Sequence, residues 1–135
     1  MSDEVRVLVG GRGHGEALVL DEPLSFWGGV DPATGAVIDV HHPQAGSVVA
    51  GRVLVMPAGR GSSSSSYVLA ESVRSGAAPA AIVLGEPDAI IALGALVATE
   101  LYGSNLPVVV APGAALATGD LVTVDTAADP AIVRS

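Results

Sequence analysis

Residues 50–71 read AGRVLVMPAGRGSSSSSYVLAE, and this stretch decides the fold. Its first part, residues 50–56, is a run of small and branched apolar side chains that predicts a buried strand. Pro57 ends that strand because proline cannot donate to a β-ladder. Beyond the serines, Leu69 and Val73 are spaced as on one face of a helix. The stretch therefore predicts a strand, a loop rich in glycine and serine, and a helix.

The loop in this stretch has the composition of an anion-binding site. The first N–H groups of a helix lack internal partners, and the helix dipole adds positive potential there. Gly59 and Gly61 allow positive φ and a close approach of the backbone, and Arg60 adds a forked charge that suits carboxylate or phosphate. The alternative is a solvated helix cap made by Ser62 or Ser63, and spacing alone does not separate the two. A Walker A loop is excluded because its lysine is missing.

The rest of the chain extends the pattern on both sides. Downstream, apolar runs at residues 80–84 and 107–110 predict strands that flank a second helix, which Asp88 would cap. Right-handed crossovers would make these two strands parallel to the strand at residues 50–56. Upstream and at the end of the chain, short strands are predicted at residues 5–9, 16–20, 36–40 and 121–124.

The predicted fold class is α/β, with one β/β/α domain over residues 1–135. Two main helices would cover one face of a mixed, partly parallel sheet. Turns with positive φ are predicted at Gly28-Gly29 and at residues 31–35. The tail at residues 126–135 is predicted either to pair as an edge strand or to fray.

Composition excludes several classes of function. Fourteen acidic residues against six arginines give a net charge of −8, which repels nucleic acid and anionic lipid. The chain has no cysteine, so it offers no thiolate for an iron–sulfur cluster or zinc, and no His or acidic spacing predicts another metal site. No apolar run approaches the roughly 20 residues of a membrane span. With no signal peptide at the start, the expectation is a cytoplasmic protein.

Four stretches carry a resemblance to a known family. They are LSFWGGVDPATGAVIDVHHPQAG at residues 24–46, the stretch at 50–71, APAAIVL at 78–84, and VATELYGSNLPVVV at 97–110. In this order they resemble the small swivelling domain of the aconitase X family, which is either a separate small subunit or fused to a large one. The resemblance implies a large-subunit partner that carries an iron–sulfur cluster, with no cofactor bound by this chain. It also implies dehydration of a small hydroxy acid: cis-3-hydroxy-L-proline or, in archaea, phosphomevalonate.

The same resemblance suggests roles for individual residues. The working serine follows Gly-Arg-Gly, which makes Ser62 the expected general base. Substrate-binding residues are expected on both sides of it and in the WGG(V/F)D and HP stretches; they are Gly59, Arg60, Gly61, Ser63, Ser66, Gly28, Gly29, Asp31 and His42. Simpler interpretations stay open for two of these positions: a glycine turn after Trp27, and a satisfied loop histidine at His42.

The interpretation as a dehydratase subunit, inactive without its partner, has two rivals. The favoured substrate is cis-3-hydroxy-L-proline, and the first rival differs only in substrate: it is the small subunit of a phosphomevalonate dehydratase. The other is a non-catalytic anion-binding module that keeps the fold. A phosphohistidine role for His14 is disfavoured because residues 16–20 are predicted to be strand rather than helix. An exposed apolar patch is expected where the large subunit docks.

Overall fold

The computed structural model describes residues 5–60 and 64–134. Within these residues, seven strands and three helical segments follow one another. In chain order they are β1 (Arg6–Val9), β2 (Arg12–Val19), α1 (Phe26–Gly29), β3 (Val53–Met56), α2 (Ser64–Ser75), β4 (Ala81–Leu84), α3 (Ala89–Tyr102), β5 (Val108–Val110), β6 (Leu121–Asp125) and β7 (Ile132–Arg134). In the part of the chain so described, no helix has the length and apolar character to cross a membrane.

All seven strands form one mixed sheet in the order β1-β5-β4-β3-β2-β6-β7. The four central strands, β2 to β5, are parallel, as the crossovers predict for β3, β4 and β5. The three outer strands, β1, β6 and β7, pair antiparallel with their neighbours. The first half of β2 pairs with β6 and its second half with β3, so the sheet curls at this strand.

Alternation along the parallel strands divides the core between two faces of the sheet. Leu54 and Met56 of β3 face a cluster that includes Leu69 of α2 and Ile91 of α3. The intervening Val53 faces a second cluster, formed mainly by the sheet itself as β6 curls over. The two main helices therefore cover one face, as predicted. Both faces of the parallel strands are buried, which explains their continuous apolar sequences.

Three sequence expectations need correction or completion. Residues 36–40 do not form a strand: Ala36 and Val37 make single bridges to Val48 and Val30, because the segment turns back within a few residues. The strand predicted at residues 16–20 begins earlier, at Arg12, where it pairs with β6. The tail does pair, as β7 against β6.

The topology places both helix starts at one edge of the sheet. Since α2 follows β3 and α3 follows β4, and the two strands are parallel, both helices begin at the carboxyl ends of these strands. Asp88 caps α3 as predicted, with Oδ1 accepting from the N–H groups of Ile90 and Ile91, each at 2.9 Å. The carboxyl edge is where ligands bind in open α/β sheets.

Candidate functional site at the carboxyl edge

Two of the predicted glycine motifs meet at the carboxyl edge. Leu24 and Gly59 form an isolated parallel bridge, which joins the segment after β2 to the segment after β3. Just beyond Leu24, residues 26–29 form a tight turn in which Trp27 has φ −77° and ψ 112° and Gly28 has φ 76° and ψ −9°. These are the angles of a type II turn, whose third position requires positive φ and hence glycine. Among the residues that the structure describes, no atom lies within 4 Å of the position that a Gly28 Cβ would occupy, so they leave the space beside this turn open.

Gly59 is required for a different reason from the one expected. Its φ is not among the positive values in the chain, so the predicted left-handed conformation is wrong for this residue. Instead, a Cβ on Gly59 would lie 2.1 Å from Oδ2 of Asp88 and 2.7 Å from Cδ1 of Ile91. Glycine fits here because the capping carboxylate of α3 packs directly against the loop, and a larger residue would force that carboxylate and Ile91 to move.

Arg60 extends from this loop as an exposed side chain. The four ion pairs found in the described part of the chain use Arg12, Arg52, Arg74 and Arg134, so Arg60 is left available to an anion. The next predicted site residues, Gly61, Ser62 and Ser63, lie outside the described residues, and their roles stay predictions.

Two serines of the run point into the protein. The Ser65 hydroxyl is almost fully buried and contacts Ser25 Oγ and the N–H of Trp27, each at 3.2 Å. The Ser66 hydroxyl donates to the carbonyl of Ile90 in α3 at 2.7 Å. A substrate contact by Ser66 stays a prediction, since its proton is already used to join the two helices. The buried serines exclude a free linker at this end of the run.

The structure does not bring Asp31 to this edge. The turn that begins at Asp31 lies at the other end of α2, where Ser75 Oγ donates to the carbonyl of Pro32. Ser64 and Ser75 are the first and last residues of α2, and at 1.5 Å per residue they are about 16 Å apart. The Asp31 carboxylate accepts from Ala33 N–H at 2.8 Å and so shapes its own turn.

His42 is buried with both ring nitrogens in use. Nδ1 accepts from the N–H of Gln44 at 3.0 Å, which leaves the proton on Nε2 to donate to the carbonyl of Glu22 at 3.1 Å. This is the arrangement of a satisfied loop histidine, so a substrate contact by His42 stays a prediction that requires one of these bonds to break. His14 lies within β2, away from any helix start, and contacts Thr123 Oγ1 at 2.8 Å.

An apolar groove of about 290 Å³ runs between α2 and α3. Its walls include five large side chains: Tyr67, Leu93, Val97, Leu101 and Tyr102. All of these except Val97 are exposed, and Tyr67 and Leu101 are the most exposed of them, at 73% and 66%. An apolar surface of this kind is expected where a partner docks.

A charged pair lies at the rim of the groove. Arg74 Nε donates to Glu71 Oε1 at 2.9 Å, and a second bond joins Nη2 to Oε2. These hydrogen bonds lower the pKa of the Glu71 carboxyl and raise that of the Arg74 guanidinium. Both groups therefore keep their charges near neutral pH. Within residues 5–60 and 64–134, no group of three His, Cys, Asp or Glu side chains is placed to hold a metal ion.

Taken together, these features define an α/β domain with two glycine-containing loops, two helix starts and an exposed arginine at the carboxyl edge of its parallel strands; no ion pair among the described residues uses this arginine. The sequence profile described as the aconitase X swivel domain matches residues 2–133. The chain belongs to this family.

Relatives named for an activity fall into two groups. The chain is 55% identical over 103 residues to a cis-3-hydroxy-L-proline dehydratase of Pseudomonas aeruginosa; the match covers 76% of the chain and 18% of that protein. It is 48% identical over 98 residues to the phosphomevalonate dehydratase small subunit of Methanothermobacter thermautotrophicus, with 73% and 75% covered. The chain thus spans less than a fifth of the first relative and most of the second.

The fold is shared with a solved member of the family. The crystal structure of Thermococcus kodakaraensis aconitase X in its holo-form matches with a TM-score of 0.84 at 40% identity. The match covers 97% of this chain and 95% of that one. The predicted swivelling-domain fold is confirmed.

Proposed function

We propose that this chain is the small subunit of an aconitase X-type dehydratase that removes water from cis-3-hydroxy-L-proline. The observation that carries the proposal is the 55% identity over 103 residues to the Pseudomonas aeruginosa dehydratase. The exposed Arg60 supports it, because a hydroxy acid brings a carboxylate that a free guanidinium binds.

In the proposed reaction Ser62 removes a proton from a substrate carbon while hydroxide leaves the neighbouring carbon. A double bond forms between the two carbons; the departing hydroxide takes up the proton that Ser62 removed and leaves as water, which returns Ser62 to its alkoxide form. Helix N–H groups and the Arg60 charge would stabilise the serine alkoxide and hold the substrate carboxylate. Gly59 and Gly61 would let the backbone approach the substrate, with Ser63 as a further donor and the Gly28-Gly29 turn closing the other side.

The leaving hydroxide needs an electrophile that this chain does not supply. With no cysteine, the chain has no thiolate ligand for an iron–sulfur cluster. We therefore assign the cluster to a large subunit, where it would act as a Lewis acid on the departing hydroxyl. The small domain alone is expected to be inactive.

Phosphomevalonate is the second candidate substrate. It is favoured by the match to the Methanothermobacter thermautotrophicus protein, a small subunit of which 75% is covered, whereas the Pseudomonas aeruginosa relative is a much longer chain. Both compounds present an anionic group to Arg60, so the loop itself does not discriminate between them. A non-catalytic module is the remaining alternative.

Anaerobic copurification with the large subunit, followed by assays of both compounds, tests the assignment. Loss of water from cis-3-hydroxy-L-proline supports the proposal, and turnover of phosphomevalonate alone would transfer it to the second substrate. A stable assembly of the lone chain, with no large partner and no turnover of either compound, would favour the non-catalytic module.

Ser62→Ala is expected to lower kcat of the assembled enzyme by about 10²–10⁴-fold, because a general base contributes on that order. Steady-state kinetics on the copurified pair measures it. The matched control is Ser75→Ala, at the far end of α2, which should retain parental turnover. Turnover of Ser62→Ala within a few-fold of the parent would show that another group is the base.

A further inference from the structure

Three groups at the start of α2 form a closed ring of hydrogen bonds. The N–H of Trp27 donates to Ser65 Oγ at 3.2 Å, and Ser25 Oγ donates to the carbonyl of Trp27 at 3.0 Å. Ser25 Oγ and Ser65 Oγ are 3.2 Å apart. Since the proton of Ser25 is used on the carbonyl, Ser65 must donate to Ser25, and every hydroxyl in the ring then donates once and accepts once.

The ring joins two segments that are 38 residues apart in sequence. Ser65 belongs to the first turn of α2, directly after the loop that carries Arg60, and its side chain is 2% exposed. Trp27 and Gly28 form the centre of the type II turn, and Trp27 is 59% exposed. The ring therefore fixes an otherwise open turn to the buried side of the helix start.

We propose that Ser65 is a positioning residue that holds the turn at residues 26–29 beside the substrate site at the start of α2. The proposal deepens the function proposed above and rests on it. Because the described residues leave the space beside Gly28 open while the anchor is buried, the distance of the turn from the helix start is set by the ring. The turn then forms a wall of the site beside the segment that carries Arg60, which the Leu24–Gly59 bridge joins to it, and its position determines how well the substrate is bound.

Ser72 shows that burial of a serine in α2 does not by itself produce this arrangement. Ser72 is fully buried on the same helix, but its hydroxyl donates to the carbonyl of Leu69 within the helix. Ser72→Ala therefore removes a buried hydroxyl without touching the turn. It is the matched control for Ser65→Ala.

The first test uses the fluorescence of the full chain, whose one tryptophan is Trp27. In Ser65→Ala the turn loses its anchor, so the steady-state anisotropy of Trp27 should fall, while Ser72→Ala should match the parent. Ser25→Ala, which lies outside α2 and breaks two of the three bonds, should also lower the anisotropy and covers the case in which Ser65→Ala does not fold. Parental anisotropy in the folded Ser65 and Ser25 variants would overturn the inference.

The second test uses the copurified pair and separates binding from turnover. Ser65→Ala should raise KM by about 10-fold or more with kcat changed by less than about 3-fold, since a displaced wall weakens binding of substrate and transition state alike. A merely structural serine would lower the active fraction and leave KM unchanged, as expected for Ser72→Ala. If the parent pair is active and Ser65→Ala leaves KM unchanged, the inference about Ser65 is overturned while the proposed function stands. If the parent pair dehydrates neither compound, the proposed function itself is overturned.

Discussion

At the scale of single residues, Gly59 and Asp88 act as a pair. The Asp88 carboxylate caps α3 through Oδ1, and its other oxygen occupies the space beside Gly59. The Asp88 side chain thus accepts hydrogen bonds from the first N–H groups of α3 and also limits how closely the loop that carries Arg60 approaches that helix. The contact ties the geometry of the candidate site to the start of the neighbouring helix.

Gly59→Ala is expected to destabilise the chain by about 1–3 kcal/mol, because the new methyl group overlaps the carboxylate. Urea denaturation measures the change. Gly10→Ala is the control: its Cβ would meet Thr126 Oγ1 at 3.4 Å, an ordinary contact, and its effect should stay within about 0.5 kcal/mol.

A double-mutant cycle checks the cause of that cost. Asp88→Ala alone should cost about 1 kcal/mol through loss of the cap. In that background Gly59→Ala should cost less than in the parent, because the overlapping oxygen is gone. Additive effects would show that the carboxylate is not the obstacle.

At the scale of elements, the close approach of α2 and α3 depends on Gly94. A Cβ at this position would lie 2.9 Å from the carbonyl oxygen of Ser66 and 3.2 Å from Cβ of Leu69. The bond from Ser66 Oγ to Ile90 joins the helices one turn earlier, so a backbone contact and a hydrogen bond hold the pair together. The helix starts at the carboxyl edge keep their spacing for this reason.

Gly94→Ala tests the contact, with two effects of opposite sign. Alanine favours the helix by about 1 kcal/mol, whereas overpacking against backbone costs about 1–3 kcal/mol. We expect net destabilisation, measured as a lower midpoint in urea. Leu96→Ala, exposed on the same helix, should change the midpoint little. A more stable Gly94→Ala variant would mean that the helices separate without cost.

At the scale of the whole molecule, the two cores are coupled through shared strands. Neighbouring residues of β3 enter different clusters, Val53 on one face and Leu54 on the other. Neither face can lose its packing without loosening the same strand. The chain is therefore expected to unfold in one cooperative step.

Leu54→Ala should lower the free energy of unfolding by about 2–5 kcal/mol and Val53→Ala by about 2 kcal/mol. In both variants the Trp27 fluorescence transition should coincide with the loss of far-ultraviolet circular dichroism. Separate midpoints for the two probes, in either variant, would show that the chain does not unfold in one cooperative step.

Sequence patterns predicted the parallel strands and both helices because these elements have dense, regular apolar spacing. The strand predicted at residues 36–40 was wrong. Its apolar residues lie in the irregular connection between β2 and β3, where Ala36 and Val37 make only single bridges. Ser65 was missed although a signal was present: it lies four residues before the buried Leu69, on the same helical stripe. Asp88 was predicted as a cap, but its contact with Gly59 joins residues 29 positions apart, which no local pattern reports.

The residues proposed to contact substrate lie in the segments that follow β2 and β3 at the carboxyl edge of the sheet, while the strands themselves contribute only apolar packing. Replacing an edge side chain that faces solvent leaves the sheet intact, and repacking the sheet leaves the edge chemistry unchanged. Selection can therefore change which acid is recognised without lowering the stability of the fold. Two relatives named for different acids accordingly match this chain at 55% and 48% identity.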